Sequence, residues 1–314
     1  MEPTLQIKKL NISFESRDGR IRAVCDVDLT IRKGSVVGLI GETGCGKSTL
    51  GKSVLRLLPS NARLSGEIVL DGGNLLDISK QEIRKVRGRR VAYICQNPQE
   101  ALNPVIRNGK QIMESVRINQ RRNRNECRKI SMGLLKTLNF SNPETCMAAY
   151  PMHLSGGMKQ RVLAAMGMSG CPSLLIADEP TGGLDALIRG QVIATVEKFI
   201  ETTGSAALII THDLTFARAI CDEIAVMYAG EIVEMGKTDE LFADPRHPYL
   251  KALIASQPGA GLRVLKGTAC SLLDLPPGCR FYERCSSAAV RCRETHPDLI
   301  RLGRTREARC LKFD

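Results

Sequence analysis

The chain contains no tryptophan, and aromatic residues make up only 4% of its 314 positions. Its core must therefore be built from aliphatic side chains. The same scarcity denies it the stacking platforms on which single-stranded nucleic acid is bound. No run approaches the eighteen or so consecutive apolar residues that a spanning helix needs. The start, Met1-Glu2-Pro3-Thr4, lacks the basic-then-apolar order of a secretory signal, so the chain is expected in the cytosol, reaching a membrane through other subunits. Acidic residues are outnumbered, 33 against 45 Lys and Arg, giving a net charge of +12. A basic surface suits an anionic partner, whether nucleotide, nucleic acid or lipid, without choosing among them.

Cysteine is abundant, at twelve residues. Disulfides are not expected in a reducing compartment. The seven between Cys25 and Cys221 read as small buried hydrophobes. The other five fall after residue 269, and that skew asks for a local explanation.

Short aliphatic runs at Val36–Ile40, Val91–Cys95, Leu174–Ala177 and Ala207–Thr211 read as buried strands. Ile224–Tyr228 and Glu231–Met235 flank Ala229-Gly230 as a hairpin. Strands alternating with helical stretches predict an α/β layered fold with a mainly parallel sheet. Between Gln96 and Leu154 strand-like runs stop, and a helical insertion with a basic stretch, Arg117–Lys129, is expected. Prolines at 245, 248 and 258 precede the Cys-rich tail, which places a boundary near residue 255.

Gly41-Glu42-Thr43-Gly44-Cys45-Gly46-Lys47-Ser48-Thr49 satisfies the phosphate-loop pattern, with a strand before it and a helix over Leu50–Leu58 after it. Glycines let successive N–H groups turn inward on phosphate oxygens, and the helix N-terminus adds its positive end. Lys47 would reach the outer phosphates and the Ser48 hydroxyl would sit on Mg²⁺. Cys45, at a helix N-terminus, would have a lowered thiol pKa, so that alkylation there blocks hydrolysis and ATP protects.

Leu174–Ala177 ends in Asp178-Glu179. Acids at such a tip emerge at the carboxyl edge of the sheet, where open α/β sheets bind ligands. Asp178 would hold Mg²⁺ through water, and Glu179 would polarise the attacking water. His212, at the end of another aliphatic strand, could hold that water in line. Leu154-Ser155-Gly156-Gly157-Met158-Lys159-Gln160-Arg161 is a second phosphate-binding helix start: Ser155 is a good N-cap, and Gly156 and Gly157 let a ligand approach the backbone. A chain with one phosphate loop has no use for it unless it serves the nucleotide of another subunit.

Taken together, these segments resemble the ABC ATPases, in family order, over about the first 255 residues. The resemblance implies a nucleotide-binding domain with a RecA-like core, an antiparallel β part and a helical subdomain at about residues 97–170. It implies that Gly41–Thr49 is the Walker A loop and that Gln96, the Q-loop glutamine, contacts Mg²⁺ and the attacking water. It makes Leu154–Gln160 the signature, Asp178-Glu179 the Walker B pair, Gly183-Leu184-Asp185 the D-loop and His212 the switch histidine. Phe14 stands where an aromatic stacks on adenine. ATP is then clamped between Walker A of one subunit and the signature of the other.

Asn97-Pro98, Ala101-Leu102-Asn103-Pro104, Val226-Met227-Tyr228-Ala229-Gly230 and His247-Pro248-Tyr249 are similar to the dipeptide and oligopeptide importer ATPases, a group that includes nickel-chelate importers. The chain is most similar to the "D" member of their two-ATPase pair. That implies an "F"-type ATPase partner, two permeases, a solute-binding protein and a peripheral place on the cytoplasmic face of the inner membrane. An ABC-type ATPase of repair or translation is the alternative. Such proteins commonly carry paired ATPase units or long coiled coils, and neither is seen here.

Cys279, Cys285, Cys292 and Cys310 are spaced C-x5-C-x6-C-x17-C. Four thiolates in a small tail suggest a metal site, zinc or iron–sulfur, although common zinc fingers use shorter spacings. Leu275–Cys285 resembles the C-terminal module of peptide-importer ATPases, which implies a [4Fe-4S] cluster on those four cysteines within residues 256–314. Cys270 reads as a spare thiol. Gly182-Gly183 replaces the Thr-Ala usual before Leu-Asp in the D-loop, which would loosen that backbone.

Overall fold

The computed structural model describes residues 2–182, 186–257, 265 and 267–313. It divides into two compact units, one formed by residues 1–4, 31–35 and 77–210 and the other by residues 5–30, 36–76 and 211–314.

In the first unit three parallel strands, Val91–Ile94, Leu174–Asp178 and Ala206–Thr211, lie side by side in that order. Every residue of Leu174–Asp178 and Ala206–Thr211 is buried. That is why they read as unbroken aliphatic runs rather than alternating ones. The insertion is helical, as expected: Asn108–Gln120, Arg124–Thr137, Pro143–Ala148 and Gly156–Met168 pack on one another. The basic stretch 117–129 is split between two helices by Arg121, whose φ of 54° stops the first. A capping box then restarts the chain, with Asn123 accepting from the N–H of Glu126 and Glu126 accepting from the N–H of Asn123.

The second unit opens with an antiparallel sheet ordered Gly19–Arg32, Pro3–Ser16, Ala62–Leu70, Gly73–Asn74. A further set of strands begins with Val36–Ile40 parallel to Glu223–Tyr228. The hairpin through Ala229-Gly230, both at positive φ, brings Glu231–Lys237 antiparallel to it. The tail contributes two more short strands, Glu307–Ala308 against Glu234-Met235 and Ile300–Arg301 beyond it. The helix after the phosphate loop is Lys47–Val54, which starts and ends earlier than the expected Leu50–Leu58. Arg56, at φ 51°, turns the chain away before Pro59.

Buried charge fastens the tail. Glu231 forms an ion pair with Arg280 at 3.3 Å, pairs with His296 at 2.9 Å and lies 3.9 Å from Arg309. Glu234 is fully buried against Arg306. Its carboxylate also accepts from the N–H groups of Arg246 and His247 at 3.0 and 2.7 Å.

His247 caps the helix Pro248–Ala255, its Nδ1 accepting from the N–H of Tyr249. Burial pushes its pKa down to about 3 from an ordinary 6.5. The unfolded chain therefore binds the extra proton first, and stability is complete above about pH 6.5 and declines as pH falls towards 3. Thermal unfolding across that window should fall with pH for the parent. A His247→Asn chain, which keeps an acceptor for the cap but does not titrate, should lose less over the same window. Parallel pH profiles would remove His247 as a cause.

Candidate nucleotide site

In the second unit the phosphate loop curls as its glycines require. Gly46 has φ 110°, and a Cβ there would stand 2.1 Å from the carbonyl oxygen of Ala23; at Gly41, φ 154°, it would stand 2.2 Å from that of Met227. No other residue fits either position. Gly46 is the N-cap of Lys47–Val54, which Ser48 and Thr49 continue, so the loop feeds directly into a helix N-terminus. Gly44 shares the left-handed conformation at φ 85°. Lys47 is 5% exposed and its ammonium folds back on its own loop, donating to the carbonyls of Gly41 and Glu42 at 2.7 and 2.8 Å. Phosphate oxygens would compete for those same protons.

Cys45 departs from its expectation. Its side chain is buried beneath the loop, and burial raises its pKa despite the opposing pull of Lys47. Desolvation of the thiolate outweighs the cation and the helix end. In the folded chain a maleimide should modify the exposed Cys171 well before Cys45, with Cys45 reacting only on denaturation. Peptide mapping that finds both labelled at similar rates would restore the reactive-thiol reading.

His212 is exposed and lines a cavity of about 440 Å³ together with Gly41, Glu42, Thr43 and Leu253. It thus shares a space with the start of the loop. Phe14 is half-buried on its strand opposite Ala62 and lines neither this cavity nor the smaller one beside Cys45.

In the first unit the acids stand at the tip of Leu174–Asp178. Asp178 is 3% exposed and accepts from the hydroxyl of Tyr93 at 2.7 Å. This fixes the carboxylate's rotamer. Glu179 is buried and sits at φ 48°, its N–H donating to the carbonyl of Ile210 at 2.8 Å. A glutamate in left-handed backbone costs of order 1–3 kcal/mol, and such strain gathers at functional sites. Its carbonyl accepts from the N–H of Gly182, and Gln96, exposed after Val91–Ile94, lies beside Gly182. So Asp178, Glu179 and Gln96 meet at one sheet edge.

Ser155 caps Gly156–Met168 as expected, its hydroxyl accepting from the N–H of Met158. Ser155 and Gly156 are exposed while Gly157 is buried. Four residues on, the buried Gln160 donates its amide to the carbonyl of Pro180, tying this helix to the segment after the acids. Gly183, Leu184 and Asp185, the D-loop positions, lie outside the described residues.

In sequence Tyr93 has no assigned role, and Gln160 none beyond its place at the end of the signature. A lone tyrosine in an aliphatic strand is the one hint of the first.

The tail cysteines share a neighbourhood. The N–H of Cys279 donates to the carbonyl of Cys292 at 2.8 Å, the Cys279 thiol feels Cys292 and Cys285, and the Cys285 thiol feels Cys310 and Cys292. Burial holds Cys279 up at about 12 and raises Cys285. Yet among the described residues no group of three His, Cys, Asp or Glu side chains is placed to hold a metal ion. The arrangement does not support the expected [4Fe-4S] cluster, nor zinc.

The ABC transporter family profile matches residues 24–182, and the profile described as "Oligopeptide/dipeptide transporter, C-terminal region" matches residues 233–292. This chain belongs to the ABC transporter ATP-binding family. The oligopeptide transport ATP-binding protein AppD of Bacillus subtilis is 37% identical, over 100% of this chain and 98% of its own length. The dipeptide transport ATP-binding protein DppD of the same organism is 36% identical, over 95% and 91%. Among solved structures, the dimeric ATP-binding cassette MJ0796, in a post-hydrolysis state bound to ADP and Pi, superposes with a TM-score of 0.66 at 25% identity, covering 74% of this chain and 98% of that one. The family fold is the mixed α/β ABC nucleotide-binding domain, and its activity is ATP hydrolysis coupled to transport. These matches lend nothing to an ATPase of nucleic-acid repair or translation. No helix among the described residues is long and apolar enough to cross a membrane.

Proposed function

We propose that this chain is the ATPase of an importer for dipeptides, oligopeptides or a related small solute such as a nickel chelate. The observation that carries this is the likeness to AppD along the whole chain, tail included. ATP would lie on Gly41–Thr49, with Phe14 as the candidate for the adenine face. Lys47 exchanges its loop carbonyls for the outer phosphates. Ser48, Gln96 and Asp178, all oxygen donors, suit Mg²⁺ and would hold it, and that ion when bound neutralises charge on the phosphates. Glu179 accepts a proton from the attacking water, and His212 holds the water in line.

The helix start at Ser155, Gly156 and Gly157 would face the nucleotide of a second ATPase, an "F"-type partner. The dimeric state of MJ0796 supports that assembly. Two permeases would seat the pair on the cytoplasmic face of the inner membrane, and a solute-binding protein would deliver cargo. We assign residues 1–255 to the ATPase domain, with its helical part at about 97–170, and residues 256–314 to a C-terminal module. Support for a cluster on Cys279, Cys285, Cys292 and Cys310 is their common neighbourhood alone.

Isolation of the native complex in mild detergent tests the reading: two permeases and a second ATPase are expected, and recovery with nucleic acid or ribosomes would overturn it. Iron and acid-labile sulfide in the same preparation, made without oxygen, would establish the cluster, and their absence would dismiss it.

A further inference from the structure

The phosphate loop is gripped from the C-terminal tail. Arg284 sends two hydrogen bonds to the carboxylate of Glu42, at 2.6 and 2.9 Å. Glu42 is the second residue of the loop, and its carbonyl also accepts from Lys47. The Arg284 side chain is only 4% exposed. Its guanidinium lies 5.7 Å from the ring centre of Tyr228 and 5.9 Å from that of Phe281, within cation–π range of both. Those rings pack with Tyr249 at centroid separations of 4.7 to 5.4 Å. The Tyr249 hydroxyl accepts from the backbone N–H of Glu42 at 2.8 Å. Glu42 is therefore held by side chain and backbone at once, from the tail and from Pro248–Ala255. A bidentate guanidinium–carboxylate pair fixes direction as well as distance.

A carboxylate in a loop that must receive a triphosphate is an electrostatic liability. Left unpaired it would repel the incoming charge, and its backbone would be free to leave the curl that aims the N–H groups. We infer that Arg284 is a positioning residue for nucleotide binding: by neutralising and orienting Glu42 it lets the tail set the ATP affinity of the phosphate loop. The inference rests on Gly41–Thr49 being the nucleotide site.

The test is equilibrium binding of MgATP to the full-length chain by calorimetry, with thermal unfolding of each variant measured without nucleotide. Arg284→Met should weaken binding by about ten-fold or more, a loss of the size expected for a buried charged pair. Arg284→Lys, which keeps the charge and loses the fork, should fall between it and the parent. In a Glu42→Gln background the same Arg284→Met change should add less than about two-fold, because no carboxylate is left to neutralise. Were the Arg284→Met chain not to fold, the ordering of Arg284→Lys against Glu42→Gln/Arg284→Lys decides by the same logic. Unchanged affinity in folded Arg284 variants, or full additivity with Glu42→Gln, overturns the inference and leaves Arg284 as a fastener of the tail. Lys47→Ala serves as the separate control: if it binds MgATP like the parent, the site assignment itself has failed.

Discussion

Glu179→Gln is expected to bind MgATP and barely hydrolyse it. The carboxylate stands at the tip of a fully buried strand, with its N–H held by Ile210 and its carbonyl by Gly182, so its position is set by backbone as much as by side chain. Gln keeps the shape and the oxygen acceptor but cannot take a proton. General-base assistance is worth about a hundred- to ten-thousand-fold, and that is the loss predicted in turnover by the assembled complex. Because the change is isosteric at a residue 7% exposed, binding and thermal stability should stay close to the parent's. Phosphate-release kinetics beside ATP binding give the answer. Turnover within a few-fold of the parent would remove Glu179 from the role of base.

The second large effect concerns stability. Glu234 is entirely buried and satisfies the guanidinium of Arg306 and two backbone N–H groups, those of Arg246 and His247. Glu234→Ala takes this acceptor from both N–H groups and leaves Arg306 only its contacts with Asp244, and breaking one partner of a buried ion pair costs about 3–5 kcal/mol. Chemical denaturation should show a correspondingly large fall in midpoint. Glu234→Gln, which retains an acceptor oxygen, should cost less, and pairing Glu234→Leu with Arg306→Met should recover part of the loss, since no uncompensated charge is then buried. An Ala variant with the parent's midpoint would mean that water reaches Arg306 readily.

The parallel strands were legible because burial on both faces leaves an uninterrupted aliphatic signature, and the signature helix because Ser155 and two glycines mark its start. The two long strands Pro3–Ser16 and Gly19–Arg32 were not legible residue by residue. Their alternation is broken where the backbone bulges: the register shifts between Lys8 and Asn11, and Lys9 and Asp26 both adopt positive φ. Side chains repair those breaks locally, Asp28 accepting from the N–H of Lys9 and Asn11 from that of Asp26. Cys45 was misread because a helix N-terminus is visible in sequence and burial is not. The grip of Arg284 on Glu42 spans 242 positions, a pairing that no local spacing announces. The four cysteines were legible as a group, yet a shared neighbourhood is less than a set of converging ligands.

The short strand Glu307–Ala308 has a protective consequence. It occupies the hydrogen-bonding side of Glu231–Lys237 opposite the hairpin, while the N–H of Arg309 donates to the carbonyl of Val233. A chain truncated near residue 255 would bare that side, an open row of N–H and C=O groups on a strand whose residues are nearly all apolar or stripped of their counter-charges. Unpaired sheet edges of this kind recruit other chains. Beyond any part it plays with nucleotide, the tail is thus a guard against self-association, one that a shortened protein would forfeit.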